Sequence, residues 1–190
     1  MKITAADVNY NKAAGKWKSS VAVYDTNSKK LGFGTDLNKE IEFTYVGNAV
    51  MTDGTTRNGG TAVDSKDSPA VGTTIRATVT GKGNYEGSRL TVEYRIIDRN
   101  KNISSGITFK IPDQTYTGDE ITLSESNITF VVGKGREDFD INCFEIVEGS
   151  YVSNKNKGTA KVTLRGKGTY GGTKTVTFKI VARQLQKKGN

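Results

Sequence analysis

The sequence predicts an all-β chain made of two tandem domains, and three observations predict it. A glycine-rich turn with one tyrosine occurs twice, as GKGNYEGSRLTVEYRI at 81–96 and as GKGTYGGTKTVTFKI at 166–180. The segments on either side of each turn alternate apolar and polar residues, the pattern of a strand with one buried face. Ile75, Ala77 and Val79 lead into the first turn, and Val92, Tyr94 and Ile96 leave it. Ala160, Val162 and Leu164 lead into the second, and Val176, Phe178 and Ile180 leave it. Each copy is therefore an antiparallel hairpin. The copies stand about 85 residues apart, which is the interval of a domain rather than of a solenoid repeat.

Taken in order, residues 3–10 (ITAADVNY) predict the first strand. Residues 16–25 (KWKSSVAVYD) predict a second, with Val21 and Val23 on one face and Ala22 and Tyr24 on the other. Glycines and Asp36 in KKLGFGTDL (29–37) favour a turn, and Ile41, Phe43 and Tyr45 are in phase in the strand that follows. Residues 47–72 predict a long irregular loop, a length that is uncommon in a compact domain and marks a loop as either functional or floppy. DRNKN (98–102) is short and polar, so the first domain is placed at 1–98 and a linker at 99–102. The second domain, 103–182, opens with Ile107, Phe109 and Ile111 in phase, continues through ITFVV (128–132) and DFDINCFEIV (138–147), and closes with the second hairpin. The polar stretch 183–190 is read as a tail or a link to a further module. About seven short strands per domain, with turns every 8–12 residues, predict two tandem immunoglobulin-like β-sandwich domains.

Composition narrows the function classes. The chain of 190 residues has no histidine, which excludes mechanisms that need an imidazole base, and its single cysteine, Cys143, excludes an internal disulfide. There is no apolar run long enough to span a bilayer, so no membrane insertion is expected. Met1–Thr4 lacks the apolar stretch of a signal peptide, and the chain reads as a piece of a larger protein. The net charge of +8 is uneven: residues 155–190 carry ten basic side chains and no acidic one, whereas 111–150 carry nine acids against Lys134 and Arg136.

The motifs that carry chemistry elsewhere do not carry it in this pattern. Gly166–Gly171 matches GxGxxG letter for letter, but a dinucleotide fingerprint must open a helix and TKTVTFKI is a strand. Paired acids such as Glu137 with Asp138, or Glu40 with Glu42, lie on short segments that offer no cleft for glycosidase chemistry. Asp53, Asp64 and Asp67 lack the spacing of a calcium loop. No catalytic residues, metal or cofactor are assigned, and no enzyme activity is expected. Trp17, between Lys16 and Lys18, is with Tyr10 and Tyr24 an aromatic set open to two roles: contact with a glycan or a host protein, alongside the 47–72 loop, or ordinary core and edge packing. Lys161, Arg165, Lys167, Lys174 and Lys179 form a basic strip on the last hairpin, suited to a cell-wall polyanion. Few aromatics are interleaved with that strip, so nucleic acid is not the expected partner.

Tyr116-Thr117-Gly118 near the second domain's start, the Gly34-Thr35-Asp36 turn, and above all GTAKVTLRGKGTYGGTKTVTFKI at 158–180 resemble the bacterial immunoglobulin-like repeats of Gram-positive, clostridia-type surface and secreted proteins. The likeness is close for 158–180, recognisable for 72–96 and loose elsewhere, since VNYNKAAG and GREDF stand where the family has Tyr-Thr-Gly and Gly-Thr-Asp-Tyr. It implies an extracellular or wall-attached setting, neighbouring modules in the same polypeptide as partners, and a structural or spacer role. It brings no catalytic residues.

Overall fold

A computed structural model describes residues 1–136, 139–140 and 142–183. The stretch 184–190, and with it most of the expected tail, lies outside the described residues, as do Glu137 and Asp138. The described residues are strands, turns and three short 3-10 segments, with no α-helix. Chain contacts divide the protein into two units, Met1–Arg99 and Asn100–Asn190.

In the first unit, β1 (Lys2–Ala5) pairs antiparallel with β3 (Val21–Tyr24). A four-stranded sheet is ordered β2 (Val8–Asn9), β8 (Arg89–Ile97), β7 (Thr74–Thr80), β4 (Glu42–Tyr45). The hairpin β7–β8 is the one read from its alternation, and Ile75, Ala77, Val79, Tyr94 and Ile96 are buried as that phase requires. They pack with Val21 and Val23 of β3 and with Ile3 and Ala5 of β1 in one cluster, so the core of this unit joins residues of both sheets.

The expected irregular loop is ordered. It holds a small hairpin, β5 (Ala49–Val50) with β6 (Thr56–Arg57). Residues 60–63 then run along the outer edge of β4: the Gly60 amide donates to the Tyr45 carbonyl, the Tyr45 amide to Thr61, and the Val63 amide to Phe43.

The second unit repeats the plan. β9 (Ile107–Lys110) pairs antiparallel with β11 (Thr129–Val132), and the four-stranded sheet is ordered β10 (Gln114–Thr115), β14 (Thr173–Val181), β13 (Gly158–Gly166), β12 (Phe144–Ile146). Ala160, Val162, Leu164, Val176, Phe178 and Ile180 are buried with Ile107, Phe109 and Phe144. In both units the opening segment is shared between sheets, and its second piece lies parallel to the last strand: Val8 beside Ile96, Gln114 beside Ile180.

The expected linker is structured. Arg99–Lys101 forms a 3-10 turn, and Asn102 is buried. The Gly171 amide donates to the Lys101 carbonyl and the Ile103 amide to the Gly171 carbonyl, which ties this stretch to the second hairpin turn. The glycines of both turns are explained by close approach. A Cβ on Gly166 would meet the backbone of Gly171 at 2.5–2.6 Å, and one on Gly81 would collide with the Tyr85 carbonyl. Tyr85 and Tyr170 pack against the two cores from these turns.

Candidate functional site

In the first unit, Trp17 lines a groove of about 490 Å³ beside β4, with Lys18, Ile41, Phe43 and Val63. Of the two roles open to Trp17, the sugar platform is corrected and core packing is what the structure has: the residue is only 3% exposed, so no ring face is open to a sugar. It is held from several sides. Its ring meets Phe43 edge-on at 5.1 Å, its Nε1–H donates to the Asp64 carbonyl at 3.1 Å, and its own carbonyl accepts the Tyr94 hydroxyl at 3.0 Å. Tyr24 is half-buried on β3, opposite Lys2, and Tyr10 is exposed beside the end of β8, where its amide donates to Ile97. Neither ring contacts Trp17 among the described residues, so the three aromatics do not form one platform.

What organises this region is Asp67, a side chain that sequence reasoning weighed only for calcium. Its carboxylate is 2% exposed and accepts the Tyr45 hydroxyl at 2.7 Å, the Asp64 amide at 2.9 Å and the Arg57 guanidinium at 2.8 Å. Burial alone would raise the Asp67 carboxyl, but the three donors outweigh it and hold the group below the usual carboxylate range. The same burial, with the carboxylate as acceptor, pushes the Tyr45 phenol well above its ordinary value. The Gly15 amide donates to the Asp67 carbonyl, and the Ser68 hydroxyl reaches the carbonyls of Asn11 and Lys12. Residues 64–68 are thereby stapled to the segment that carries Trp17. The arrangement is a buried anchor with its donors satisfied, and among the described residues no cluster of three His, Cys, Asp or Glu suited to a metal is present.

The second unit presents the basic hairpin, and the structure divides the expected strip. Thr159, Lys161, Thr163 and Arg165 of β13 face outward, opposite Lys179, Thr177, Thr175 and Thr173 of β14. Lys161 and Lys179 are exposed as the alternation required. Arg165 is not a free cation: Glu145 stands opposite it on β12, and the two make an ion pair at 2.5 Å. Lys174 is not on the strip at all. It shares the phase of buried Val176, is half-buried, and its Nζ donates to the Ile107 carbonyl. Lys167 is exposed in the turn, six residues or roughly 20 Å along the strand from Lys161.

At the opposite end of the hairpin, the segment 153–159 and Glu120 enclose a concavity of about 450 Å³ that presents Lys155, Lys157, Asn156 and Thr159. Lys157 lies 5.9 Å from the centroid of the exposed Tyr116 ring. Cys143 is fully buried, and that burial raises its thiol to about 11, which keeps it protonated and inert near neutrality. Among known proteins, no family model and no curated sequence matches this chain.

Proposed function

We propose that the chain is a pair of tandem immunoglobulin-like sandwich domains acting as a non-catalytic spacer in a surface or secreted multidomain bacterial protein. The observation that carries this reading is the parallel pairing, in both units, of the second piece of the opening segment with the last strand. Force applied at the ends of a unit pulls β2 and β8, or β10 and β14, along their own axes in opposite directions. The bonds between them, including Tyr10 N–H to Ile97 and Tyr116 N–H to Val181, are loaded in shear and must break together rather than one by one. A module that joins other modules under tension is served by that geometry. The shared topology, with an opening segment divided between two sheets, supports the immunoglobulin-like reading.

Single-molecule pulling on the whole chain from both ends tests it. Two separate unfolding events are expected, each releasing roughly 300 Å of chain for about 90 residues. Tyr10→Pro removes one sheared bond and lowers the rupture force of one event only. Gradual unravelling at low force without discrete peaks would refute the spacer reading. The alternative of a glycan-binding or host-protein-binding module built on Trp17, Tyr10 and Tyr24 is not favoured, because Trp17 is core.

A further inference from the structure

The two hairpins share a register, and comparing them position by position exposes a difference in charge. In the first unit, Arg76 stands opposite Glu93 and pairs with it at 2.7 Å, while Arg95, opposite Thr74, pairs with Asp7 at 3.4 Å. Arg89 pairs with Glu42 on the same face. That surface neutralises itself. In the second unit the equivalent positions are Lys161 opposite Thr177 and Lys179 opposite Thr159. The acid across from the first cation has become threonine, and Asp113, which precedes β10 as Asp7 precedes β2, makes no ion pair with Lys179 among the described residues. The backbone plan is retained while the counter-charge is removed.

These two lysines continue a larger feature. Thr159, directly across from Lys179, also lines the concavity that presents Lys155 and Lys157. None of the four lysines forms an ion pair with a described residue, and the one carboxylate at the concavity is Glu120. Lys161 and Lys179 are diagonal neighbours, roughly 7–8 Å apart at the backbone. The result is a row of cations from a polar concavity onto a flat strand surface of threonine hydroxyls.

We propose that this row, Lys155, Lys157, Lys179 and Lys161, is a binding site for an anionic polysaccharide. Spaced point charges suit a linear polymer that carries a charge on each repeating unit, and exchange of its counterions drives the association. The neighbouring groups are hydroxyls and amides, Ser153, Asn156, Thr159 and Thr177, which match sugar hydroxyls. Nucleic acid fits less well, because single-strand binding needs exposed aromatic faces for stacking and the Tyr116 ring already has Lys157 near its face. The site does not depend on Trp17 or on the spacer reading.

The test uses the whole chain with two probes of known chemistry, a sulfated polysaccharide (heparin) and a carboxylated one (polygalacturonate), by calorimetry and by salt elution. Binding to at least one is expected at low ionic strength, and preference between them separates sulfate from carboxylate recognition. Lys161→Glu with Lys179→Glu is expected to weaken binding about tenfold or more. The control Lys29→Glu with Lys30→Glu changes net charge equally in the first unit and is expected to leave most of the affinity. Thr177→Glu gives the second unit the first unit's counter-charge and is expected to weaken binding with the fold intact by circular dichroism. No binding to either polymer, equal losses in the control and the double variant, or tighter binding to a single-stranded oligonucleotide of similar charge would each overturn the proposal.

Discussion

Replacing Asp67 by alanine tests whether the anchor holds the long segment in place. The Tyr45 hydroxyl would lose its acceptor at 2.7 Å and keep only the Met51 sulfur at 3.7 Å. The Asp64 amide would lose its partner at 2.9 Å, whereas Arg57, whose side chain is 40% exposed, would return to water at little cost. A stranded buried donor costs about 1–3 kcal/mol. With the second amide and the lost packing, the total comes to about 3 kcal/mol. In a unit of this size that lowers the melting temperature by roughly 12–24 °C. Calorimetry of the whole chain is expected to show one transition shifted and the other unmoved. The pH dependence follows from the direction of the shift. The Asp67 carboxyl titrates lower in the folded unit than its ordinary value near 3.9, so its stabilisation is present above about pH 4 and fades as pH falls through the folded value. The gap between wild type and variant should therefore narrow below about pH 4. A cost under about 1 kcal/mol at pH 7, or a gap independent of pH, would refute the reasoning.

Other substitutions separate the remaining arguments. Trp17→Ala should cost about 3–5 kcal/mol, the scale for emptying a core aromatic site, and a chemical-denaturation midpoint unchanged within error would return Trp17 to the surface. Gly166→Ala should destabilise the second unit, because its Cβ would press on the Gly171 backbone; equal stability by urea titration would mean the turn relaxes freely. Cys143 should resist a thiol reagent in the native chain at pH 8 and react at once in denaturant, and fast native labelling would contradict its burial. Residues 100–190 expressed alone should melt cooperatively, and starting at 104 should weaken the fragment by removing the bonds from Lys101 and Ile103 to Gly171.

The hairpins were legible because both of their strands alternate: local spacing alone decides that Val162 is buried and Lys161 is not. The same spacing already told against Lys174, whose number shares the phase of Val176 and Phe178. Charge pairing was not legible in that way. Glu145 neutralises Arg165 through a register between strands some 20 residues apart, and nothing in either segment announces it. Burial of Trp17 was hidden for a related reason, since its partners Asp64 and Tyr94 lie 47 and 77 residues further on. Asp67 reads as an ordinary loop acid until Tyr45 and Arg57 are brought to it. Alternation is a local property, whereas the fate of a charge or an indole depends on which distant segment covers it.

The run of residues 60–63 along β4 bears on how a chain of similar units avoids misassembly. A strand at the rim of a sheet exposes unpaired amides and carbonyls that can template a strand from another molecule, and tandem units of like topology supply many such strands. Here residues 60–63 occupy the amide and carbonyl of Tyr45 and the carbonyl of Phe43, and Asp67 fixes the long segment in position. Loosening that anchor should therefore open a sticky rim as well as lower stability, and its first visible consequence during refolding at high concentration would be dimers and larger aggregates.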